Sequence, residues 1–415
     1  MPFAETLSCP RCNHTQPATT PLHRGCEACV DEGLRVNLVC DVPFDTEEAR
    51  RAIRSSPRRS LWDFIALLPL DLDDRVDLGE GWTPLLPLPQ VGAELGLRQL
   101  WAKNEAVNPT WSHKDRLCAL STGAARRLGA TATTAVSTGN HGASVAAYAT
   151  RAGMPSVIFT LQDVPKAMLA FINAYGAAVI AAPTVAVRNE LMRSAIERYG
   201  LFPVSNAVSP SMGSTPFGVD GYKTLAYEIW LQLGEEVPDW VVVPVGYGDC
   251  LSGVARGFHD LVHIGLAPRV PRMVAAEVFG AVGAALAGTA LPRSGEPTST
   301  SAFSIATTSA TDQSLRAIRG TGGVAVTAAE DEIVAAQRLM AVREGLFLEA
   351  SAAAGVAAAA RLAADGVIRP DDTVVTLATS TGLKDPIGAA AWQRPVVNAT
   401  SDEHIRTVIE QLLDA

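Results

Sequence analysis

Short apolar runs alternate with longer helical segments in the first half of the chain. Apolar runs that contain β-branched residues lie at 133–137, 156–161 and 178–182. Each is followed by a helical pattern, at 143–151, 166–175 and 185–199. Because strands that alternate with helices form right-handed βαβ units, the pattern predicts a parallel sheet covered by helices on both faces. The fold class is therefore expected to be α/β.

The second half continues this pattern with three further candidates for buried strands. They lie at 240–245, 272–277 and 373–377, and each ends near glycine or polar residues. In open α/β sheets, ligands bind beyond the carboxyl ends of the strands. Chemistry is therefore expected in the segments that follow these strands.

Three segments lie outside the alternating pattern. An acidic start at 45–48 opens a helix, and 400–403 caps a terminal helix predicted at 404–413. The Ser/Thr-rich stretch 291–311 is expected to be a long loop, either a lid over a binding site or an ordinary connection.

The length and composition of the chain fit a two-lobed enzyme. The chain has 415 residues, of which 48% are hydrophobic and 19% are charged. This length exceeds what one core usually supports, and the low charge argues against a disordered protein. We expect two packed lobes with a small appendage.

The net charge limits the classes of partner. It is −9, with a sequence pI of about 5.4, which argues against nucleic acid and anionic membranes as partners. The uncharged run 167–187 is interrupted by Asn173 and Pro183, so it predicts a helix, a turn and a strand and not a membrane span. Residues 1–5 show no secretory signal, so a cytoplasmic location is expected.

Four of the seven cysteines form two Cys-x-x-Cys pairs near the N-terminus. Cys9 pairs with Cys12, and Cys26 with Cys29. Four thiolates at this spacing converge tetrahedrally on one Zn²⁺ and leave no coordination position for a substrate. We therefore predict a structural zinc ribbon, with a chance grouping of reduced thiols as the alternative.

A lysine among turn-forming residues is the first candidate for catalysis. Lys114 follows a polar segment that begins at Asn108 and stands at the start of a helical pattern. A helix N-terminus beside a desolvated pocket favours the neutral amine, which is the form that attacks an aldehyde. The alternative is a solvated surface charge between Asp115 and Arg116.

Two polar turns follow strand candidates. Ser137-Thr138-Gly139-Asn140-His141-Gly142 offers hydroxyls and free amides at a helix start, which suit a carboxylate; the alternative is an ordinary helix cap. Gly246-Tyr247-Gly248-Asp249-Cys250 follows the run at 240–245, and its amides suit a phosphate. This turn lacks the glycine spacing that is typical of dinucleotide binding.

The lysine segment resembles the signature of threonine synthases, a family of pyridoxal-phosphate (PLP) enzymes. Asn108-Pro109-Thr110-Trp111-Ser112-His113-Lys114-Asp115-Arg116 is similar to the family's Asn-Pro-Thr-Gly-Ser-Phe-Lys-Asp-Arg, with Trp111 and His113 as replacements. Further similar segments follow in family order at 78–85, 103–105, 221–224, 345–353 and 379–385. The resemblance covers nearly the whole chain, and the lysine motif is its most specific part.

The resemblance implies a two-lobed PLP enzyme of fold type II, like the tryptophan synthase β-subunit. It places a zinc ribbon at 1–35, a large PLP-binding domain at 36–115 and 236–415, and a small inserted α/β domain at 116–235. Homodimers are usual in the family, so we expect a homodimer that acts on a small amino acid.

The resemblance also implies a role for each motif. Lys114 would hold PLP covalently and remove the substrate α-proton. Asn140 would bind the cofactor's phenolic oxygen and Thr379 its pyridine nitrogen, where a hydroxyl suits elimination better than transamination. The residues expected at the cofactor phosphate are Gly246, Tyr247, Gly248, Asp249 and Cys250. Those expected at the substrate are Trp111, Ser137, Thr138, Gly139 and His141.

Departures from the family pattern concern the substrate. Threonine synthases carry Asn-Pro-Tyr-Arg before a Gly-Gln-Lys-Thr-like turn, whereas this chain has Thr215-Pro216-Phe217-Gly218. Glycine cannot replace the arginine fork that grips a phosphate, so O-phosphohomoserine is not expected as the substrate. Trp111 in place of glycine would narrow the pocket. The leading prediction is β- or γ-elimination or replacement on another small amino acid.

The sequence leaves three other functions open. One is an ammonia-lyase like threonine/serine dehydratase, which would release a 2-oxo acid. A second is a true threonine synthase or a relative such as cysteate synthase. The third is a protein without catalytic activity, in which the zinc ribbon binds a partner and the PLP fold is silent.

Overall fold

A computed structural model of the chain describes residues 3–43, 45–55, 58–164, 166–289 and 300–384, with 392, 405–406 and 409–410. The strands are β1 (Thr6–Ser8), β2 (Thr15–Pro17), β3 (Val39–Cys40), β4 (Leu85–Pro87), β5 (Gln99–Asn104), β6 (Thr133–Val136), β7 (Ser156–Leu161), β8 (Ala178–Ala182), β9 (Phe202–Pro203), β10 (Trp240–Pro244), β11 (Arg272–Glu277), β12 (Val324–Thr327) and β13 (Thr373–Ala378). The helices are α1 (Glu27–Asp31), α2 (Thr46–Arg54), α3 (Pro89–Leu95), α4 (Lys114–Arg127), α5 (Asn140–Arg151), α6 (Lys166–Ala174), α7 (Val185–Tyr199), α8 (Pro216–Gly221), α9 (Lys223–Gln232), α10 (Asp249–His263), α11 (Ala281–Ala287), α12 (Asp312–Thr321), α13 (Glu330–Glu344) and α14 (Ala350–Ala364).

The largest sheet has six strands in the order β12-β11-β10-β13-β5-β4. All neighbours pair in parallel except β4, which runs antiparallel at the edge. Every residue of β10 is buried. Val241 and Val243 join one core, which includes α10, and Val242 joins a second core, which includes α14. The predicted sheet with helices on both faces is therefore confirmed.

The second sheet has four parallel strands in the order β8-β7-β6-β9. Parallel neighbours need a crossover connection, and α5, α6 and α7 supply it. The strands β7 and β8 have the predicted bounds. The α/β alternation predicted for this part of the chain is confirmed.

The N-terminal module, residues 3–40, carries a small antiparallel sheet in the order β2-β1-β3. It is joined to the body of the protein by buried hydrogen bonds. The amide Nδ2 of Asn37 donates to the carbonyl of Ser214 at 2.8 Å and to Oε1 of Gln313 at 3.2 Å.

A buried ionic cluster joins β5, α4 and α9. Nε of Arg116 lies 2.7 Å from Oε2 of Glu105, and Nη1 of Arg116 lies 2.5 Å from Oε1 of Glu228. Nζ of Lys103 lies 2.6 Å from the other oxygen of Glu228, and all four side chains are fully buried. Although burial opposes it, the two cations lower the pKa of Glu228 to about 2. The balanced charges fix α4, whose first residue is Lys114, against the large sheet.

Two predictions fall mainly on residues outside the described part. Of the predicted loop 291–311, only 300–311 are described, and they include a short 3-10 helix at Phe303–Ile305. The predicted terminal helix at 404–413 and its cap lie almost entirely outside the described residues.

Within the described residues, no helix is both long and apolar enough to cross a bilayer.

Candidate active site

Polar segments from both sheets meet at the carboxyl ends of parallel strands. β10, β13 and β5 are neighbours in the large sheet, and each is followed by one of the predicted polar segments. The amide of His113 donates to the carbonyl of Thr379 at 2.9 Å. Nζ of Lys384 donates to Oδ1 of Asn140, which follows β6 of the second sheet, at 2.7 Å. The structure therefore brings the segments at 108–116, 137–142 and 379–384 together.

Asp115 holds the loop in front of Lys114. Its carboxylate accepts hydrogen bonds from the amide of Thr110 at 2.6 Å and from the hydroxyl of Ser144 at 2.6 Å. Burial raises the pKa of Asp115 to about 6, although these hydrogen bonds oppose the rise. The loop is thus tied to α5 as well as to its own helix, which fixes where Lys114 begins α4.

The amine of Lys114 lies half-buried without a polar partner. No described residue forms a hydrogen bond or an ion pair with its Nζ, which lies 5.9 Å from the ring centroid of Tyr222. Tyr222 is fully buried, and its hydroxyl has no hydrogen-bond partner among the residues that the structure describes. Burial raises the pKa of the nearby Cys250 thiol, and the charge of Lys114 opposes this rise. The amine therefore lies between the lysine loop and the segment that follows β10.

His113 is a neutral imidazole in this site. Its Nδ1 lies 3.1 Å from the carbonyl oxygen of Thr379, so Nδ1 must donate and Nε2 keeps its lone pair. The ring stacks on Tyr222 with 5.4 Å between centroids. Burial holds the pKa of His113 well below its usual value, and the charge of Lys114 adds to this effect. Thr379 itself is 3% exposed and faces His113 through its backbone.

The turn that follows β6 uses one of its two hydroxyls to hold its own backbone. Oγ of Ser137 accepts from the amide of Gly139 at 3.1 Å and from that of Gly142 at 2.8 Å. The hydroxyl of Thr138 is half-buried and has no partner among the described residues. Burial lowers the pKa of His141 to about 3, so this imidazole is neutral as well. Thr138 and the loop amides are the groups left free to bind an anion.

Asn140, Glu349 and Lys384 form a buried cluster, here called the Asn140 cluster. Oδ1 of Asn140 accepts from Nζ of Lys384, and its Nδ2 donates to Oε2 of Glu349 at 2.8 Å. Burial raises the pKa of Glu349 and lowers that of Lys384 to about 8. The predicted residue Asn140 is thus held between a cation and an acid.

The turn at 246–250 is shaped by glycine and braced by side chains. Gly248 has a φ of 80°, and a Cβ there would lie 2.6 Å from Cβ of Ser314, so only glycine fits. The carboxylate of Asp249 accepts from the amide of Ser214 at 2.9 Å and from Nε2 of Gln313 at 2.6 Å. The turn leads directly into α10, whose N-terminal amides favour an anion.

Trp111 lies at the edge of the site in a strained backbone conformation. Its φ is 61°, a left-handed value that is rare for a bulky residue and that suits the glycine of the similar signature. The side chain is 44% exposed, and its ring packs on Phe171 of α6 with 5.4 Å between centroids. Trp111 thus forms an apolar wall between the lysine loop and the second sheet.

The four N-terminal cysteines converge as their spacing predicts. The sulfur atoms of Cys9, Cys12, Cys26 and Cys29 all lie within 4.8 Å of one another. Neighbouring sulfurs are 3.6 to 3.7 Å apart, a close grouping that four ligands of one metal ion require. Cys40 belongs to the same module but not to this group.

Sequence reasoning did not assign roles to four residues that line this site: His113, Tyr222, Glu349 and Lys384. Each lies inside a segment that resembles a family motif, but its own role was not visible. His113 and Tyr222 stand where the similar motifs carry phenylalanine and glutamine. These two replacements are the sequence features that could have identified His113 and Tyr222 as site residues. Nothing in the spacing of Glu349 and Lys384 indicated contact with Asn140.

Comparison with known proteins agrees with this geometry. The family model "Pyridoxal-phosphate dependent enzyme" matches residues 76–380. The threonine synthase of Methanocaldococcus jannaschii is 31% identical over 384 residues, covering 90% of this chain and 93% of the relative. That of Methanosarcina acetivorans is 31% identical over 338 residues, covering 79% and 80%.

Solved structures show the same fold. The O-ureido-L-serine synthase structure gives a TM-score of 0.62 at 22% identity, covering 80% of this chain and 96% of that one. The T.th. threonine deaminase structure gives a TM-score of 0.58 at 26% identity, covering 76% and 94%.

Proposed function

The chain belongs to the pyridoxal-phosphate dependent enzyme family and, within it, to the threonine synthase-like group, and we propose that its substrate is a small amino acid other than O-phosphohomoserine. It is a PLP-dependent lyase of the elimination or replacement type, with fold type II. The observation that carries the proposal is the packing around Gly218, which leaves no space for an arginine side chain. The unpartnered amine of Lys114 at the carboxyl ends of the parallel strands supports the PLP-dependent activity itself.

The residues present fit PLP. An amine, a buried hydroxyl without a partner and a glycine turn at a helix start are all available, in Lys114, Tyr222 and Gly248. When bound, PLP withdraws electrons from the substrate α-carbon, which makes loss of a β- or γ-substituent possible. A buried polar group without a partner is costly in the free protein, and a polar ligand relieves that cost.

Individual residues would have the following roles. Lys114 would hold the cofactor covalently and would take the proton from the substrate α-carbon. The free N–H of Asn140 would donate to the phenolic oxygen, and the hydroxyl of Thr379 would bind the pyridine nitrogen. The amides of Gly246, Tyr247, Gly248, Asp249 and Cys250, at the start of α10, would hold the cofactor phosphate.

Substrate contacts would come from the other side of the cleft. Thr138 and the free amides at the start of α5 would bind the substrate carboxylate, while Gly139 and Ser137 hold the turn in shape through their own hydrogen bond. Neutral His141 and the wall of Trp111 face the remaining part of the substrate. Trp111, although 44% exposed, would keep one side of the site apolar, which strengthens the polar contacts beside it.

The position that resembles the phosphate-binding arginine leaves no space for a side chain. Gly218 lies buried in α8, against α4. A Cβ at Gly218 would lie 2.4 Å from Oγ of Ser121 and 2.7 Å from Cγ of Leu117. The arginine fork is therefore not only missing but is also excluded by the packing of two helices. This favours a substrate whose leaving group is not a phosphate.

Replacing Gly218 with arginine is expected to destabilise the protein without producing activity on O-phosphohomoserine. Even Gly218→Ala should lower the free energy of unfolding by about 1–3 kcal/mol, because the added methyl overpacks the α4–α8 contact. Urea denaturation of both variants measures this. Gly320→Ala is the matched control, since the nearest atom to a Cβ there is 3.9 Å away, and it should be neutral or stabilising. Phosphate release by Gly218→Arg would contradict the proposal.

A panel of amino acids tests the substrate directly. The holoenzyme is mixed with O-phosphohomoserine and with serine, threonine and homoserine derivatives that carry uncharged leaving groups, and the products are identified. We expect kcat/KM for at least one uncharged derivative to exceed that for O-phosphohomoserine by roughly 100-fold, the effect of about 2.7 kcal/mol in transition-state binding. A preference for O-phosphohomoserine would refute the proposal. Release of only ammonia and a 2-oxo acid would instead identify an ammonia-lyase.

We also propose that the four grouped cysteines bind one structural Zn²⁺. Purified protein should contain one zinc per chain by elemental analysis, and Cys26→Ser should lose it and unfold the N-terminal module. The expected sign of unfolding is a loss of protease resistance confined to residues 3–40. Cys40→Ala, which changes a cysteine of the same module outside the group, should keep its zinc. A metal-free wild-type protein with an intact module would contradict the assignment.

The remaining expectations on organisation are proposals too. We propose a cytoplasmic homodimer with a zinc ribbon at 1–35, a large domain at 36–115 and 236–415, and a small domain at 116–235. Sedimentation equilibrium tests the dimer.

A further inference from the structure

Lys384 is a second buried amine in the site, and the proposed function leaves it without a role. It ends the short 3-10 helix Gly382–Lys384 that follows β13 and is 5% exposed. Its Nζ lies 2.7 Å from Oδ1 of Asn140 and 5.2 Å from the ring centroid of Phe171. A buried lysine needs specific partners, because an unpaired charge is costly away from water.

The partners of Asn140 determine which way its amide faces. An ammonium group has only donors, so the atom next to Lys384 must be the amide oxygen. A carboxylate has only acceptors, so the atom next to Glu349 must be the amide nitrogen. One N–H of Asn140 is used by Glu349, and the second has no partner among the described residues. The amide therefore has a single orientation with one donor left over.

The titratable groups around Lys384 come from the starts of two helices, α14 and α4. Glu349 precedes α14 and Asp115 lies in α4, and both carboxylates favour the charged form of Lys384. The imidazole of His113 lies close enough for Lys384 to disfavour its protonation. Two acids therefore favour the charged form of Lys384, whereas burial opposes it. A second cation, Lys114, acts on the same Glu349 and His113.

We propose that Lys384 is a positioning residue, which holds the amide of Asn140 so that its free N–H faces the phenolic oxygen of the cofactor. The inference rests on the proposed function, which places that oxygen at Asn140. Without Lys384, only Glu349 at 2.8 Å and a long contact of 3.5 Å from the hydroxyl of Ser380 hold the amide, so the direction of its free N–H is less restricted. A hydrogen bond to the anionic form of an oxygen favours that form, so its loss changes the protonation and the absorbance of the bound cofactor.

The experiment compares four variants as holoenzymes. Lys384→Met keeps the length of the side chain but has no donor, whereas Lys384→Gln restores a neutral N–H donor toward Asn140. Asn140→Ala removes the donor to the cofactor, and Lys114→Ala reports on cofactor attachment. For each variant the absorbance band of the substrate-free protein is recorded between about pH 6 and 11, a range that includes the ordinary pKa values of imidazole and lysine amine groups. Values of kcat and KM are then measured.

We expect Lys384→Met to change the wavelength or the pH response of the band in the same direction as Asn140→Ala. Its kcat should fall roughly 10- to 100-fold with little change in KM. This is less than the roughly 100- to 1,000-fold effect of losing an aligned donor, because the donor remains and only its alignment is weakened. Lys384→Gln should recover most of the wild-type band. A merely structural role would lower stability in both Lys384 variants and leave the band unchanged.

Two outcomes separate this inference from the proposed function. If Asn140→Ala changes the band but Lys384→Met matches the wild type in wavelength and pH response, the positioning role is refuted and the proposed function stands. If Lys114→Ala keeps a covalently attached cofactor, or Asn140→Ala leaves the band unchanged, the roles that the proposed function gives to Lys114 or Asn140 are refuted. The inference on Lys384 then falls with them. A Lys384→Gln variant that behaves like Lys384→Met would also overturn the positioning role, since the charge and not the donor would then matter.

Discussion

Lys114→Ala should lose at least roughly a thousandfold in kcat, because the variant lacks both the amine that holds the cofactor and the group that moves the α-proton. Turnover of the amino acid found in the substrate panel measures the loss. Borohydride reduction of the wild-type holoenzyme, followed by peptide mass analysis, should show the cofactor on the peptide that contains Lys114.

Lys166→Ala is the matched control for this change. Lys166 is also the first residue of a helix, α6, but it is exposed to solvent. We expect this variant to keep the cofactor band and the wild-type kcat. If reduction labels another lysine, or if Lys114→Ala turns over at the wild-type rate, Lys114 is not the catalytic amine.

Arg116→Met should lower the free energy of unfolding by about 3–5 kcal/mol, since it leaves Glu105 and Glu228 buried with only Lys103 as a counter-charge. Methionine retains the apolar stem of the side chain, so lost packing contributes less than the uncompensated charge. Denaturation by urea, followed by circular dichroism, measures the effect. Because α4 begins at Lys114, the band of the bound cofactor should weaken in the same variant.

Two further variants separate charge balance from simple truncation. Glu105→Gln added to Arg116→Met restores the balance of charges and should recover part of the loss, so the two changes should not be additive. Arg338→Met, on the exposed face of α13, should change stability by no more than about 0.5 kcal/mol. If Arg116→Met costs as little as Arg338→Met, the cluster does not hold α4 in place.

The regular part of the fold could be predicted because its strands are buried on both faces. β7, β8 and β11 have the predicted bounds, since each is a short apolar run between polar or glycine residues. α5 begins at Asn140, before the predicted start at residue 143, because its first turn is polar and its N-terminus faces the site. A periodic apolar pattern cannot show such a turn.

Edge elements were harder to predict for the opposite reason. β12 is a four-residue edge strand whose first two residues are only half-buried, so its apolar signal is weak, and it was not among the predicted strands. The apolar stretch at 62–70 overlaps the 3-10 helix Leu61–Leu67, which was also not among the predicted elements. Short 3-10 turns carry no periodic pattern of their own.

The site was predictable only as separate motifs. The resemblance identified the segments around Lys114, Asn140 and Thr379, but it did not show which side chains touch. Glu349 and Lys384 lie 209 and 244 residues beyond Asn140 along the chain. Contacts at such separations follow from the strand order of the sheet, which no local spacing encodes.

The tight contact at Gly218 restricts how this enzyme can evolve. A mutational path toward phosphorylated substrates cannot start at position 218 alone, because Leu117 and Ser121 of the neighbouring helix occupy the volume that a longer side chain needs. Smaller residues would have to appear first on that helix, where they would leave a cavity close to Lys114. Such epistasis would make the proposed selectivity difficult to reverse by single substitutions.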